Sequence, residues 1–411
     1  MWRLTDAQRE LREHIRTVVL DEIRPATLDM GETDEYPQDV FDVLAREGLL
    51  RLGIPHEHGG RADESDVSFC AYVEELAKIS TTVSLMAAYV KLVSLPIILA
   101  GTEEQKAQWL PRLASGEIHG SYALTEPGVG SDPAALTTRA ERIDGGWRLD
   151  GEKRFIGNAG MSQVYVVFAR TGDEGAGGLS AFVVPGDADG LSVEPLPTMG
   201  MPGWKLGAPK FDGVEVGDDA LLGKEGDGFK IAMMTFDRSR PAVAAQAVGV
   251  GQGATDLALE YALRRHTFGK PLMEHEGIQF KLAGMEADVA AARALTYQAA
   301  SAVDEDDPRL TKLASAAKLV ASDTAMRVTT EAVQVLGGNG YLKEFPAERM
   351  MRDAKVLQIY EGANEIQRLV VARQMVKAAM ERDPVWPESM PGEEGVASGE
   401  PEEAVGAGER A

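Results

Sequence analysis

Cysteine is almost absent from the 411-residue sequence, which contains Cys70 alone. A single thiol rules out an internal disulfide framework and is typical of a protein in a reducing compartment. Basic residues are also scarce, because 42 lysines and arginines face 65 aspartates and glutamates, a net charge of −23. This acidic excess argues against a nucleic-acid partner or an anionic membrane surface, although a local basic pocket could still hold a phosphate.

Long hydrophobic runs and metal-ligand spacings are missing as well. The most apolar window, YVKLVSLPIILAG, is interrupted by Lys91 and Pro96, so we expect no membrane span. The first residues, MWRLTDAQRELREH, are too polar and too acidic for a signal or transit peptide. His56 and His58 stand in PHEHGG without further ligands at metal-site spacing, so we expect no metal. These patterns predict a cytoplasmic protein.

Hydrophobic residues, by contrast, make up 44% of the sequence, enough to bury more than one core. The periodicity is helical over 1–118 and again over 227–382. Between them, over 119–226, short runs such as QVYVVFAR and LSAFVVP alternate with glycine-rich turns, which indicates β-structure. The prediction is an α+β multidomain chain, followed by an acidic tail, 383–411, that is too poor in apolar residues to fold.

Local signals mark several helix starts. The pairs Thr5–Gln8 and Thr102–Gln105 have the spacing of a capping box, in which two side chains satisfy each other's free backbone N–H groups. Asp307 and Pro308 are predicted to be the N-cap and the first residue of a later helix.

Six motifs follow one another along the chain: YALTEPGVGSD, GEKRFIGNA, TFDRSRPAVAAQAVGVGQGA, YALRRHTFGKPL, EAVQVLGGNGY and MMRDAKVLQIYEGANEIQR. Each is weak alone. TEPGVGSD, for example, lacks both the Lys-Ser/Thr of a P-loop and the strand–helix setting of a dinucleotide fingerprint. In this order, and with this change of periodicity, the motifs resemble the acyl-CoA dehydrogenase family of flavoproteins, most closely its medium-chain branch. The resemblance extends from Thr5 to Lys377.

The resemblance implies a fold and an activity. It implies an N-terminal all-α domain, a middle β-barrel-like domain and a C-terminal four-helix bundle, assembled as a homotetramer. FAD would bind between the middle and C-terminal domains with help from a neighbouring subunit. The enzyme would convert an acyl-CoA to the trans-2-enoyl-CoA, in the manner of fatty acid β-oxidation, and an electron-transfer flavoprotein would accept the electrons.

Glu361 is the expected catalytic residue. The stretch LQIYEGANEIQRL places it between Tyr360 and Gly362, among apolar residues that would raise the pKa of a carboxylate. By resemblance, Glu361 removes the α-proton of the thioester while the β-hydrogen leaves as hydride to flavin N5. Gly362 would let the thioester lie against a backbone amide, and Tyr360 would contact the substrate. In isolation, Glu361 would be interpreted as a surface glutamate at a helix end.

A second position of the family supports this assignment. Some branches carry the base as a glutamate in the stretch that matches FDRSR, where this sequence has Ser239. A serine cannot serve as a carboxylate base, so Glu361 has no competitor. Asp237 and Arg240 match family positions that contact the CoA part of the substrate, although an ordinary ion pair between them is an equally compatible interpretation.

Other site residues follow from the resemblance alone. Ser131 is expected near both the CoA and the flavin. Arg265 and 334–338 match residues that reach the FAD of a neighbouring subunit, where an arginine suits a pyrophosphate. The residues expected to bind FAD are Tyr122, Leu124, Thr125, Gly130, Ser131, Phe155, Ile156, Gly157, Arg265, Thr267, Phe268, Glu276, Gln334, Leu336, Gly337, Gly338, Ala363 and Glu365.

The sequence departs from the family near the flavin. Where the family commonly reads Trp-Ile-Thr, this chain has Phe155, Ile156 and Gly157, which lacks a hydroxyl expected near N5. Ala363 replaces a usual threonine, and Glu276 replaces a usual glutamine. Two alternatives therefore stay open: a relative with altered chemistry (a flavin oxidase, an N-oxygenase or a carrier-protein-linked dehydrogenase), and a non-catalytic acyl-CoA-binding scaffold. The acyl group is not determined by these motifs.

Overall fold

The computed structural model describes residues 4–29, 35–61 and 65–381. The predicted disordered tail, 383–411, lies outside these residues. The N-terminal region is helical, and a π-helical turn, Val19–Ile23, joins its first two helices. Its α-helices are α1 (Asp6–Val18), α2 (Arg24–Asp29), α3 (Gln38–Arg46), α4 (Asp66–Ala77), α5 (Thr81–Ala100) and α6 (Glu103–Ser115).

Both capping boxes predicted from the sequence are confirmed. Thr5 accepts the N–H of Gln8 at 3.2 Å, and the Gln8 side chain accepts the N–H of Thr5 at 2.9 Å. The same reciprocal pair joins Thr102 and Gln105 at the start of α6. Gln105 also donates to the carbonyl oxygen of Asp219 at 2.6 Å, so this cap ties the helical region to the β region.

The helix α5 is the longest helix of the N-terminal region, and its course corrects one expectation. Lys91 and Pro96 do not interrupt the apolar stretch, because α5 runs continuously through both. In the described part of the chain, α5 is the one helix long and apolar enough to cross a membrane, yet 78% of that window is buried inside the protein. Lys91 is itself buried and pairs with Asp66 on α4. The helix is packed as a core element.

The middle region is built from strands. Within the described residues, β1 to β9 pair into one sheet in the order β4-β8-β3-β2-β5-β6-β9, with β1 parallel to β5 and β7 antiparallel to β8. Every residue of β5 is buried, which explains its apolar run from Val164 to Ala169. The strands are β1 (Gly120–Ala123), β2 (Arg139–Ile143), β3 (Gly146–Glu152), β4 (Ile156–Gly157), β5 (Val164–Arg170), β6 (Leu179–Pro185), β7 (Leu191–Pro195), β8 (Leu206–Gly217) and β9 (Leu221–Leu222).

The C-terminal region is again helical and contains a small hairpin between its first two helices. That hairpin pairs β10 (His266–Thr267) with β11 (Lys270–Pro271). The helices are α7 (Gly228–Arg264), α8 (Glu276–Asp304), α9 (Leu310–Leu336), α10 (Ala347–Leu357) and α11 (Asn364–Met380). The predicted domain boundaries fall in the connections α6–β1 and β9–α7.

Small residues let α7 lie close to α4. A Cβ at Gly249 would be 2.4 Å from the carbonyl oxygen of Glu74, and one at Gly253 would be 2.1 Å from that of Lys78. The Gly-rich stretch AVGVGQGA therefore serves helix packing, because no larger residue fits at these two positions.

The predicted start of one helix is wrong by two residues. We expected Asp307 as N-cap and Pro308 as first helical residue, but α9 begins at Leu310. The Asp307 side chain accepts the N–H of Arg309 at 2.7 Å, and its carbonyl accepts the N–H of Leu310 at 2.9 Å. Asp307 therefore closes a turn that precedes the helix.

Candidate active site

Glu361 lies in the short connection between α10, which ends at Leu357, and α11, which begins at Asn364. Two successive residues here have left-handed backbone, with φ of +52° at Glu361 and +96° at Gly362. A left-handed glutamate is strained, and such residues cluster at functional sites. Glycine adopts this conformation freely, and a Cβ at Gly362 would lie 2.6 Å from Nε2 of Gln367. The left-handed conformation therefore favours the glycine, and the missing Cβ leaves room for the Gln367 side chain.

Buried side chains hold this connection by its carbonyl groups. Arg240 on α7 donates from Nε to the carbonyl oxygen of Glu361 at 3.2 Å. Lys318 on α9 donates from Nζ to the carbonyl oxygen of Gly362 at 2.9 Å. Gln367 on α11 donates to both oxygens, at 3.2 and 2.9 Å. Three helices thus fix the backbone that carries the carboxylate.

The carboxylate of Glu361 has the properties of a general base. The residue is partly exposed, so another molecule can reach it. Loss of water around it raises the pKa of Glu361, and this effect outweighs the opposing effects of Ser239, Arg240 and Lys318. Ser239 donates a hydrogen bond to its Oε2. A carboxylate with a raised pKa can accept a weakly acidic proton, such as one on a carbon next to a carbonyl.

Arg240 and Asp237 form an ion pair, which the sequence had left as one of two compatible interpretations. Arg240 approaches Oδ1 of Asp237 at 3.3 Å, and Thr311 donates to Oδ2 at 2.6 Å. Burial raises the pKa of Asp237, against the effects of Thr311 and Arg240. Arg240 is buried, stacks over the ring of Phe236 and supports Glu361, so its main contacts are within the protein. Asp237 is more exposed and lies closer to solvent.

Tyr360 connects the turn that carries Glu361 to the N-terminal region. Its hydroxyl donates to Oε1 of Gln246 on α7. Gln246 in turn donates from Nε2 to the carbonyl oxygen of Thr81 at 3.0 Å and to Oγ of Ser84 at 2.8 Å, both on α5. The chain of contacts ties the turn, α7 and α5 together beside the carboxylate.

The loop that opens with Thr125 is anchored by a buried acid. The carboxylate of Glu126 accepts the backbone N–H groups of Thr137 at 2.7 Å and Thr138 at 2.9 Å. It also pairs with Lys153 at 2.9 Å. Burial opposes its ionisation, but Lys153 and the threonine hydrogen bonds lower the pKa of Glu126 to about 2. Burial lowers the pKa of Lys153 to about 8, so both groups are charged at neutral pH.

The tip of the same loop presents an open backbone. A Cβ at Gly128 or at Gly130 would meet nothing within 4 Å, and Ser131 is exposed. Leu124 is buried beneath the loop and Thr125 is partly exposed. Exposed glycine backbone and a hydroxyl in such a loop suit the phosphate oxygens of a nucleotide.

Aromatic residues beside this loop fit a flavin ring. The hydroxyl of Tyr122 is buried without a hydrogen-bond partner in the described structure, so it can bond an incoming group. Phe155 is 58% exposed and has a left-handed backbone with φ of +60°. Its neighbours Ile156 and Gly157 are buried in β4. The residues present therefore fit an aromatic ring system and a pyrophosphate together.

The remaining predicted cofactor residues lie elsewhere on the chain. Gln334 is sixteen residues beyond Lys318 on α9, roughly 24 Å along a helix that rises 1.5 Å per residue. Asn339 donates to the hydroxyl of Tyr261 at 2.9 Å, which brings this end of α9 next to the end of α7. Arg265, Phe268, Glu276, Gln334, Gly337 and Gly338 are exposed, Thr267 is partly exposed and Leu336 is buried. Within one chain, this group is separate from Glu361.

Two further residues predicted to bind FAD follow Glu361 and Gly362 in the chain. Ala363 is partly exposed and immediately precedes α11. Glu365 is exposed in the first turn of that helix.

Sequence reasoning missed several residues of the site. Gln246 and Gln367 carry no motif of their own, and Ser239 was considered only as a missing base. Lys318 offered a signal, because it stands on the helical face of Ala314 and Ala321, where a buried lysine requires partners. No group of three or more His, Cys, Asp or Glu side chains suited to a metal occurs among the described residues.

A chain of helical, β and helical regions that holds a partly exposed carboxylate of raised pKa in a strained turn has the features of an enzyme active site. Family models cover most of the chain: the acyl-CoA dehydrogenase N-terminal domain matches residues 5–117, the middle domain 121–214 and the C-terminal domain 226–376. The chain therefore belongs to the acyl-CoA dehydrogenase family. This confirms the predicted fold class and makes the protein an oxidoreductase that acts on acyl-CoA, with a flavin cofactor implied by the family.

Individual relatives support the same conclusion. The chain is 41% identical over 379 residues to a probable acyl-CoA dehydrogenase of Mycobacterium leprae, covering 92% of this chain and 97% of the relative. It is also 41% identical over 380 residues to the cyclohexane-1-carbonyl-CoA dehydrogenase of Geobacter metallireducens, covering 92% and 100%. Among solved structures, butyryl-CoA dehydrogenase from Megasphaera elsdenii superposes with a TM-score of 0.88 at 38% identity, covering 92% and 100%. A chain from a study of the electron transferring flavoprotein of Acidaminococcus fermentans has a TM-score of 0.89 at 36% identity, covering 92% and 100%.

Proposed function

We propose that this chain oxidises an acyl-CoA thioester to the trans-2-enoyl-CoA, with Glu361 as the base that removes the α-proton. The observation that carries the proposal is the carboxylate of Glu361: partly exposed, raised in pKa, and held in a strained turn by three helices. A surface glutamate would need none of these features.

The proposed reaction balances as a loss of two hydrogens. Glu361 takes the α-hydrogen as a proton, and the electron pair of that bond forms the carbon–carbon double bond. FAD, when bound, would supply the acceptor for the β-hydrogen, which leaves as hydride. The backbone at Glu361 and Gly362 would donate to the thioester carbonyl and make the α-proton more acidic. Ser239 donates to the carboxylate, and Arg240 holds the backbone carbonyl of the residue that carries it.

The cofactor is proposed to be FAD bound through the loop and strands described above. Tyr122, Thr125, Gly130 and Ser131 would hold the flavin and its pyrophosphate, and Phe155 would lie against the ring. The open glycines, the free Tyr122 hydroxyl and the exposed Phe155 support this assignment. Asp237 and Tyr360 would contact the substrate, Asp237 on the CoA side and Tyr360 beside the thioester.

Assembly and electron transfer complete the proposal. The exposed group around Arg265 and Gln334 would complete the FAD site of a neighbouring subunit in a homotetramer. Large apolar side chains at this end support it, since Phe268 is 97% exposed and Tyr341 is 84% exposed. An electron-transfer flavoprotein would be the acceptor, supported by the similarity to a chain studied with such a protein.

Anaerobic reduction of the bound flavin tests the proposal. Purified protein mixed with saturated acyl-CoA thioesters should lose its yellow absorbance and yield the trans-2-enoyl-CoA. Flavin that stays oxidised with every thioester would overturn the proposal in favour of a binding scaffold. Stoichiometric hydrogen peroxide after admission of oxygen would instead indicate an oxidase.

A further inference from the structure

The turn that carries Glu361 is closed at its base by the residues on either side of it. The backbone N–H of Asn364, the first residue of α11, donates to the carbonyl oxygen of Gln358, which directly follows α10, at 3.0 Å. Glu361 stands midway between these two residues in the chain. The position of its carboxylate therefore depends on how the two ends of the turn are held against the neighbouring helix.

One carboxylate oxygen on α9 holds both ends of the turn. Oδ1 of Asp323 accepts Nε2 of Gln358 at 2.7 Å and Nδ2 of Asn364 at 2.7 Å. The second oxygen, Oδ2, accepts Nη2 of Arg368 on α11 at 2.9 Å. Hydrogen bonds to an ionised acceptor are stronger than those between neutral groups. Asp323 thus joins the end of α10 to the start of α11 across the base of the turn.

The side chain of Asn364 is also bonded to other residues on this face of α9. Its Oδ1 accepts Nζ of Lys318 at 2.9 Å, and its Nδ2 donates to Oγ of Ser322 at 2.9 Å. Asn364 is buried, and a buried amide with its hydrogen bonds satisfied is fixed in one orientation. Asp323 extends this network to the other end of the turn, at Gln358.

We propose that Asp323 is a positioning residue that sets the place of the Glu361 carboxylate for proton removal. The inference rests on the proposed function, since it concerns the base that would take the α-proton. The left-handed backbone at Glu361 is strained and persists only where its surroundings fix it. Asp323 bonds the residues three before and three after Glu361, so its loss frees both ends of the turn at once.

Substitutions at 323 separate the hydrogen bonds from the charge. Asp323→Ala should lower the rate of anaerobic flavin reduction at saturating acyl-CoA by at least about tenfold, because misplacing a reacting group by about 1 Å can cost about 100-fold. The KM should change much less than kcat, since the lost contacts act on the chemical step. Asp323→Asn keeps an oxygen for Gln358 and Asn364 and should retain most of the rate, although it loses the ion pair with Arg368.

Two further variants serve as controls. Arg368→Gln breaks only the exposed ion pair and should retain the rate. Asp288→Ala removes an aspartate on α8 that pairs with Arg327 on α9, and it should also retain the rate. The match is close, because the side chains of Asp288 and Asp323 are both 40% exposed.

Hydrogen exchange, measured by mass spectrometry on the peptide that spans 357–368, gives a readout independent of turnover. Asp323→Ala should speed exchange in this peptide, because the hydrogen bond from Asn364 to Gln358 opens more often. Gln358→Leu removes the donor at one end without changing α9, so it should move both exchange and rate in the same direction.

A flavin-loaded Asp323→Ala protein that reduces its flavin at the wild-type rate would overturn the inference. Unchanged exchange in the same variant would overturn it as well. Failure of the proposed function is distinguishable, since wild-type protein would then leave its flavin oxidised with every acyl-CoA, whereas failure of this inference alone leaves wild-type turnover intact.

Discussion

The hydroxyl of Ser239 on α7 donates a hydrogen bond to the carboxylate of Glu361, 122 residues further along the chain. In some branches of the family the base stands at the position of this serine. Here the serine instead stabilises the charged form of Glu361, the proposed base, which another element carries. The two positions that can hold the base are thus in contact, and the side chain at one adjusts the pKa at the other.

Removing the Ser239 hydroxyl should shift the pH dependence of the reaction. The hydrogen bond lowers the pKa of Glu361, so Ser239→Ala should raise it further. Because the reaction needs the ionised carboxylate, the acid limb of the rate of anaerobic flavin reduction should move to higher pH. Ser94→Ala, which removes a buried hydroxyl bonded only within α5, is the control. An acid limb that stays in place would show that another group controls it.

The sequence predicted Glu361 as the base, with Gly362 beside it, because these residues form a local motif. It could not identify Ser239 as the donor to Glu361, because that contact depends on how α7 packs against the α10–α11 turn. Lys318 was missed for the same reason: its partners, the carbonyl of Gly362 and the side chain of Asn364, follow it by 44 and 46 residues. Long-range packing decides such contacts, and no spacing rule encodes them.

The sequence predicted the helical and β regions from their periodicity. It predicted less accurately where individual helices are interrupted or begin. Pro96 was taken to interrupt an apolar stretch, yet the buried surroundings of α5 stabilise a continuous helix through it. Asp307 was taken as an N-cap because of the proline that follows, yet its side chain closes the preceding turn. Local propensity was overridden by tertiary packing in the first case and by an alternative turn in the second.

Lys318 should make stability depend on pH. Burial lowers the pKa of Lys318 to about 7 from its ordinary 10.5. Between these values the unfolded chain binds more protons than the folded one, so this group makes the free energy of unfolding rise with pH. Lys318→Met should abolish that part of the rise and lose about 1 kcal/mol for the hydrogen bond from Lys318 to the carbonyl of Gly362, which keeps Gln367 as its second donor.

Urea unfolding of wild type and Lys318→Met at pH 7 and pH 9 measures this effect. Lys312→Met, a partly exposed lysine on the same helix, is the control. Equal slopes with pH in wild type and Lys318→Met would contradict the assignment.

The buried ion pair of Glu126 and Lys153 should be required to anchor the loop that opens with Thr125, which is proposed to bind the flavin. Lys153→Met leaves the Glu126 carboxylate unpaired and should cost about 3–5 kcal/mol. The double variant with Glu126→Gln removes the buried charge and should recover part of that loss. Because the pKa of Glu126 is about 2 in the fold and 4.5 ordinarily, its stabilisation is present above pH 4.5 and is lost as pH falls towards 2. Chemical unfolding and flavin content measure both effects, and an unchanged Lys153→Met protein would refute the role.

Assembly should depend on the exposed aromatic side chains near the hairpin. Phe268→Asp places a charge at a proposed subunit contact, so it should weaken the homotetramer and lower the FAD content together. Sedimentation equilibrium and flavin absorbance measure the two quantities. Met199→Asp, at an exposed apolar residue of the middle region, is the control. A wild-type protein that is a fully flavin-loaded monomer would disprove the proposed shared site.

Glu361→Gln should separate binding from chemistry. Glutamine keeps nearly the same volume and polarity, so FAD and acyl-CoA should still bind, but its amide cannot accept the α-proton. The rate of anaerobic flavin reduction should fall by about 10²–10⁴-fold, the range typical of losing a general base. Glu104→Gln, at an exposed glutamate on α6, is the control.

Because Ser239 contacts the carboxylate, adding Ser239→Glu to Glu361→Gln places a new carboxylate beside the lost one and should restore part of the rate. Reduction of the single variant at the wild-type rate would mean that another group takes the proton, and the assignment of Glu361 would be wrong.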